Sequence, residues 1–256
     1  MSGIRTFLAA LQFLTTLPVS TAFTADEIGR SSPWFPFVGL AVGGLVVIVD
    51  LVAWKAGLPW TIRTILAVAM LAVLSGGLHL DGLADTADGF FSSRTPDRIL
   101  EIMRDSRIGA MGVLALALVL GLKAAAIGEL ASCSARMGAL LLAPAFGRVL
   151  QVVGLTWMPY ARPEGGLASV FLPHRSMYAG IISCAILVAL AGLMLGWPVA
   201  LTLVAAVSLL VVWWARACRT TIGGMTGDTL GALSELGEAL VLVVVAWKFS
   251  DGGMYG

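Results

Sequence analysis

Charge is what this sequence lacks most. Of its 256 residues only 12% are Asp, Glu, Lys or Arg and 59% are hydrophobic, whereas a soluble domain usually carries about 25% charged residues. Mean hydropathy is +0.94. No polar segment is long enough to build a soluble domain, which places the chain in the polytopic membrane class. Cysteine is also scarce. Cys133, Cys184 and Cys218 are odd in number, far apart and without C-x-x-C spacing, which argues against a disulfide framework or a zinc site. They read as small apolar packing residues. A formal net charge of +1 gives no ground for a nucleic-acid partner, so the distribution of charge carries the information instead. The early stretch "IRTFLAALQFLTTLP" lacks a small-residue cleavage site, and no cleavable signal is expected.

What is present is a series of apolar runs. A membrane span needs roughly 20 apolar residues, and seven are read: 34–54, 61–78, 109–131, 136–158, 177–196, 198–218 and 229–249. Before them Ile4, Phe7, Leu8 and Leu11 recur at helical spacing and end at Pro18. They predict a short amphipathic or half-inserted N-terminal helix. The expected fold is therefore an all-α polytopic integral membrane protein, a single transmembrane domain over 1–256.

Orientation follows from Lys and Arg. With the N-terminus in the cytoplasm, ten arginines fall on cytoplasmic segments: Arg5, Arg30, Arg94, Arg98, Arg104, Arg107, Arg162, Arg175, Arg216 and Arg219. Only Lys55, Arg63, Arg136 and Lys248 fall outside, while Lys123 and Arg148 lie within spans. The 79–107 region, the 159–176 loop and the 219–228 loop then share one face, and the polar chemistry of the chain converges there.

"GGLHLDGLADTADGF", Gly76 to Phe90, opens that region. Asp81, Asp85 and Asp88 are spaced i, i+4, i+7, one helical face over two turns. Bare carboxylates so placed repel, and a cation between them relieves the repulsion. Mg²⁺ prefers a few carboxylates plus substrate phosphate oxygens, so the pattern predicts a Mg²⁺–diphosphate site. His79 sits two residues before Asp81, placed to donate to a carboxylate, act as a base or contact phosphate. In "SSRTPDRILEIMRDSRIGAMG", Glu101 and Asp105 are again i, i+4 among Arg94, Arg98, Arg104 and Arg107, whose guanidinium forks match phosphate oxygens. Ordinary positive-inside anchoring explains any one of these arginines, but less well the run "RDSR", with Asp105 between Arg104 and Arg107.

A second acidic segment, "GGMTGDTLGALSELGE", holds Thr226, Asp228, Glu235 and Glu238. Glu235 and Glu238 fall inside the last span, where carboxylates need a cation, protons or water. The two segments match as G-G-x3-D-x6-[DE], offset by 147 residues. That match is either chance in a Gly-rich chain or an internal duplication; in both cases the segments are expected to line one cavity. Arg148, in "PAFGRVLQ", is expected to face that cavity or pair with a carboxylate. "RPEGGLASVFLPHR", 162–175, reads as an ordered loop, either a cover for the site or a plain connector.

These quoted segments, with "LQFLTTLPV" and "FPFVGLAVGG", resemble the signatures of the cobalamin synthase (adenosylcobinamide-GDP ribazoletransferase) family. The likeness spans nearly the whole chain, with a generic apolar match over about 120–215. It implies a Mg²⁺-dependent enzyme of the bacterial cytoplasmic (inner) membrane, its active site facing the cytoplasm. The implied donor is adenosylcobinamide-GDP and the acceptor α-ribazole or its 5′-phosphate. The implied products are adenosylcobalamin or its 5′-phosphate, and GMP. On this reading Asp81, Asp85, Asp88, Asp228 and Glu235 are metal ligands. Arg94, Arg104, Arg107, Thr226 and Glu238 bind substrate, and His79, Asp88 or Asp105 accepts the acceptor's proton. Sequence does not choose among those three, and it leaves open whether the enzyme is a homo-oligomer in its bilayer. Two alternatives differ in kind. Another membrane diphosphate-dependent transferase, such as a prenyltransferase or a CDP-alcohol phosphotransferase, would keep the metal and change the acceptor. An ion transporter using Glu235 and Glu238 would spread acidic groups to both faces, whereas here they cluster at one.

Overall fold

The computed structural model describes residues 3–162 and 164–250. In chain order its helices are α1 (Gly3–Leu14), α2 (Ala25–Gly29), α3 (Phe35–Lys55), α4 (Trp60–Leu74), α5 (Leu78–Phe90), α6 (Pro96–Ile102), α7 (Ala110–Glu129), α8 (Cys133–Trp157), α9 (Met177–Leu195), α10 (Trp197–Ile222) and α11 (Gly227–Ser250). Two 3-10 turns, Ser32–Trp34 and Leu167–His174, complete it. Among the described residues there is no β-strand, only one isolated bridge between Tyr160 and Met225. Six helices are long and apolar enough to cross a membrane: α3 with its leading turn, and α7 to α11. They coincide within a few residues with six of the expected spans, and the protein is a multi-pass membrane protein.

The seventh expected span, 61–78, departs from a straight helix. α4 stops at Leu74 and α5 leaves its line by 87°. The break is encoded by Gly76 and Gly77, both in the left-handed region at φ 61° and 72°, a conformation open to glycine at little cost. α5 carries three aspartates in 13 residues and is not one of the spanning helices. It packs instead against α11 and α7.

α8 is the axis of the fold, almost wholly buried between α3 and α11. Lipid tails are as apolar as leucine, so helices in a bilayer associate by close packing rather than by escape from water. Small residues supply that packing here. A β-carbon on Gly39 would lie 2.5 Å from the Ala145 Cα, and one on Gly43 2.4 Å from the Leu141 carbonyl. Leucines at the periphery face outward instead, with Leu193 and Leu209 78% and 72% exposed, as a hydrocarbon surround allows. α1 follows the same logic. Its buried residues are Thr6, Ala9, Ala10 and Leu14, while Ile4 of the apolar stripe is exposed. Phe7 and Leu11 of the stripe are half-buried against the core, Phe7 edge-on to Trp34, so the stripe is split between the protein and its surround.

At the end of the bundle away from α5, Asp50 accepts from Arg63 (2.5 Å) and from Arg136 (2.8 Å), all three buried. Both guanidinium groups lie over the Trp60 ring, 4.9 and 4.4 Å from its centroid. This cluster ties α3, α4 and α8 together and gives the isolated-looking Asp50 its counter-charges. Replacing Gly39 by Val should force α3 and α8 apart and cost about 1–3 kcal/mol, read as a lowered Tm in detergent; an unchanged Tm would show that the crossing is not tight.

Candidate active site

The site begins where α5 crosses α11. A β-carbon on Gly82 would lie 2.7 Å from the Asp228 carbonyl oxygen, and one on Gly231 3.2 Å from the His79 Cα. Two glycines thus let the backbones touch, which brings Asp81 and Asp85 beside Asp228. The two acidic segments meet in space, as their pattern required. Each also follows a helix–Gly-Gly–helix break, with Gly223 again in the left-handed region at φ 80°.

The carboxylates then divide by what they already hold. Asp88 reaches the N-terminus of α7 and accepts from Gly109 N (2.6 Å) and Gly112 N (2.8 Å). Both of its oxygens satisfy backbone donors left open at a helix start, where negative charge is also favoured. Asp228 accepts from Arg162 at 2.7 Å. Thr226 is buried and caps α11, accepting from Thr229 N at 3.2 Å while the Thr229 hydroxyl accepts from Thr226 N at 2.8 Å. Asp105 accepts a bidentate pair of hydrogen bonds from Arg107, which holds its carboxyl down at about 2.

Asp81 and Asp85 hold no such partner among the described residues. Burial, followed by the charges of Asp81, Asp228 and Asp88, pushes Asp85 up to about 7, with Arg162 opposing. Asp85 with three other acids near enough to raise it is an electrostatic debt that a cation would relieve. Among the described residues no three His, Cys, Asp or Glu side chains form a ready-made metal cage. Mg²⁺ is usually held by one or two carboxylates with substrate phosphates completing its shell, and the uncommitted oxygens of Asp81 and Asp85 suit that mode.

Two cavities adjoin these carboxylates. One, about 140 Å³, lies under the 159–176 loop and is lined by His79, Asp81, Gln151, Arg162, Asp228 and apolar side chains. The other, about 330 Å³, is lined by Asp81, Asp85, Arg104 and Asp105. Asp81 belongs to both. The loop is fastened down by the Arg162–Asp228 pair, by an ion pair between Arg104 and Glu164, and by reciprocal backbone bonds of 2.8 Å from Ala161 N to Met225 O and from Met225 N to Pro159 O. It is a roof rather than a plain connector. Arg94 and Arg107 are exposed and line neither cavity.

Glu235 and Glu238 occupy a separate buried cluster. Lys123 of α7 donates to both at 2.6 Å, and Arg148 of α8 donates to Glu238. Two acids and two bases balance inside the bundle, which meets the requirement for charge within a span. Arg148 also lies 3.2 Å from His79 Nδ1. A guanidinium only donates, so Nδ1 accepts and Nε2 carries the imidazole hydrogen. Sequence reasoning had left three of these residues without a site role: Lys123, Gln151 and Arg162. The two buried cations, Lys123 and Arg148, were the available signal for the first, since two intramembrane glutamates demand two positive partners.

Carboxylates and arginines at one end of an apolar helical bundle define a membrane enzyme acting on phosphate-bearing groups. The Cobalamin-5-phosphate synthase family model matches residues 6–246, and the chain belongs to that family of transferases in cobalamin synthesis. It is 44% identical to the adenosylcobinamide-GDP ribazoletransferase of Roseiflexus sp. (strain RS-1), covering 92% of this chain and 87% of the relative. It is 44% identical to that of Klebsiella pneumoniae (strain 342), covering 94% and 99%, and 38% to that of Chlorobaculum tepidum, covering 96% and 95%. No solved structure matches.

Removing one member of the buried cluster should leave an uncompensated charge. Lys123→Met is expected to destabilise by about 3–5 kcal/mol. Lys123→Met with Glu235→Leu restores balance and should recover most of that loss in thermal unfolding. Two variants equally destabilised would show that charge balance is not the cause.

Proposed function

We propose that the chain is a Mg²⁺-dependent adenosylcobinamide-GDP ribazoletransferase, working as one catalytic domain over 1–256. The observation that carries this reading is the pair of unpartnered carboxylates, Asp81 and Asp85, at the junction of two cavities with Arg104 and Arg162 across from them. Family membership narrows the substrates: the relatives are named for adenosylcobinamide-GDP and a ribazole.

In the proposed reaction a ribose hydroxyl of α-ribazole, or of its 5′-phosphate, attacks the phosphorus that bears the cobinamide. The phosphorus–oxygen bond to the GMP portion breaks, and GMP leaves with the bonding electrons. The hydroxyl proton passes to a base, and adenosylcobalamin or its 5′-phosphate forms. Asp81 and Asp85, flanked by Asp228, would hold Mg²⁺, which when bound neutralises charge developing on the diphosphate. Arg104 and Arg162 bind phosphate oxygens, each exchanging a protein carboxylate for a substrate one-for-one in charge. Of the sequence's candidates for the base, His79 has Nδ1 engaged by Arg148 and Asp88 has both oxygens on α7. Asp105 is held too acidic by Arg107. None of the three is free to take the proton, and Asp88 and Asp105 become positioning residues. Glu235, neutralised by Lys123, stands behind the metal site as support, and Glu238 and Thr226 support it likewise rather than touching substrate. Neutralisation of both glutamates in place also removes the motive for a transporter reading.

The arginine distribution supports a site facing the cytoplasm from the inner membrane. Purified protein in liposomes should release GMP from adenosylcobinamide-GDP only with α-ribazole or its 5′-phosphate and Mg²⁺ present. Asp81→Ala or Asp85→Ala should lower kcat by at least about 10³-fold, the scale of losing a preorganised charge at a transferring phosphoryl group. Full turnover in either variant, or in EDTA, sinks the metal assignment.

A further inference from the structure

The roofed cavity contains groups that the reaction just described does not use. Its walls are aromatic: Phe13, Phe35 and Phe171 line it and pack on one another, with Phe171 edge-on to Phe13 at 5.0 Å and to Phe35 at 5.3 Å. Against these walls lie two polar groups without partners. Gln151, on the spanning helix α8, is only 5% exposed and its Oε1 has no hydrogen bond; His79, 1% exposed, has none at Nε2. A buried unpaired polar group costs about 1–3 kcal/mol, so two of them in one cavity mark a place for a ligand.

From this we infer that the cavity is the subsite for the benzimidazole ring of the acceptor nucleoside, an inference that rests on the proposed transferase reading. Size agrees. A water molecule needs roughly 10–15 Å³ of such space, so about 140 Å³ holds on the order of ten non-hydrogen atoms, a bicyclic ring. Chemistry decides between the two flat rings in the reaction. Guanine carries donors and acceptors around most of its edge, and those turned toward the three phenylalanines would go unsatisfied. The base of α-ribazole has one free ring nitrogen, an acceptor, and hydrocarbon along the rest of its edge. His79 presents a donor at Nε2, fixed there because Arg148 occupies Nδ1. Gln151 presents Oε1, an acceptor, which a ribose hydroxyl of the nucleoside meets as donor. Apolar ring edge meets phenylalanine, and ring nitrogen meets N–H.

The placement also orders the two substrates. Asp81, Asp228 and Arg162 line the same cavity, so a base seated inside directs its ribose toward the carboxylates. Asp81 then separates the acceptor from the polar cavity beyond, where Arg104 would meet the donor's diphosphate. His79 and Gln151 act here as specificity residues.

Two variants test this in the full-length enzyme. Gln151→Leu keeps the side-chain volume and removes the amide. Leu78→Trp fills the cavity from a partly exposed wall position and leaves the core intact. KM for α-ribazole should rise about tenfold or more, the loss of one hydrogen bond or of ring space, with KM for adenosylcobinamide-GDP within about twofold of wild type. A rise confined to the KM for adenosylcobinamide-GDP would put the guanine in the cavity and overturn the inference, as would two unchanged KM values. Equilibrium dialysis of α-ribazole alone, without donor, should show binding to wild type that Leu78→Trp abolishes; retained binding in that variant also overturns it. Wild-type protein that binds α-ribazole yet releases no GMP would instead defeat the proposed reaction and leave the subsite standing.

Discussion

The structure turns on the contact of two backbones at Gly82 and Gly231. Every other feature of the site needs α5 and α11 to cross there without side chains between them. The crossing sets Asp81 and Asp85 next to Asp228 and tucks His79 against α11, within reach of Arg148. It also directs the far end of α5 to α7, where Asp88 closes the helix start. A polypeptide in a bilayer has no hydrophobic gain to draw on for bringing two acidic helix ends together. Contact geometry does it, and the electrostatic cost is then offset locally by Arg162, by the α7 N-terminus and, in the proposed reaction, by a divalent ion.

Three groups of charge among the described residues have separate tasks. Asp50, Arg63 and Arg136 clamp one end of the bundle beneath Trp60. Lys123, Arg148, Glu235 and Glu238 form a balanced set in the middle. The acids of α5, with Asp228, are left short of positive partners at the other end. Only the last group is under-compensated, and it alone opens onto cavities. Under-compensation and exposure distinguish the candidate site from the two buried ion clusters, whose acids and bases are paired.

Much of this was legible in the residues. Apolar runs located six spanning helices, and i, i+4, i+7 spacing put three aspartates on one face of α5. The two acidic segments, 147 residues apart, do line one cavity through Asp81 and Asp228. What could not be read was direction. An apolar run does not reveal that Gly76 and Gly77 turn the chain by a right angle, because left-handed glycines are indistinguishable in sequence from packing glycines. Spacing did not separate Asp88, spent on α7, from Asp81 and Asp85, since all three share the stripe. Nor did it show that Glu235 and Glu238 answer to Lys123 and Arg148, cations contributed by other helices. The aromatic box was hidden for a similar reason: Phe13, Phe35 and Phe171 come from three elements that nothing in the local pattern links.

The roof has a property that follows from its fastening. Arg162 helps hold it down by gripping Asp228, and in the proposed reaction it is also one of the two guanidinium groups that bind phosphate. One guanidinium with two claimants ties occupancy to anchorage. An incoming phosphate that draws Arg162 away releases the latch on the loop above it, and a departing one lets the latch re-form. In the proposed reaction, entry and exit of substrate are thereby tied to an ion pair that helps fasten the roof.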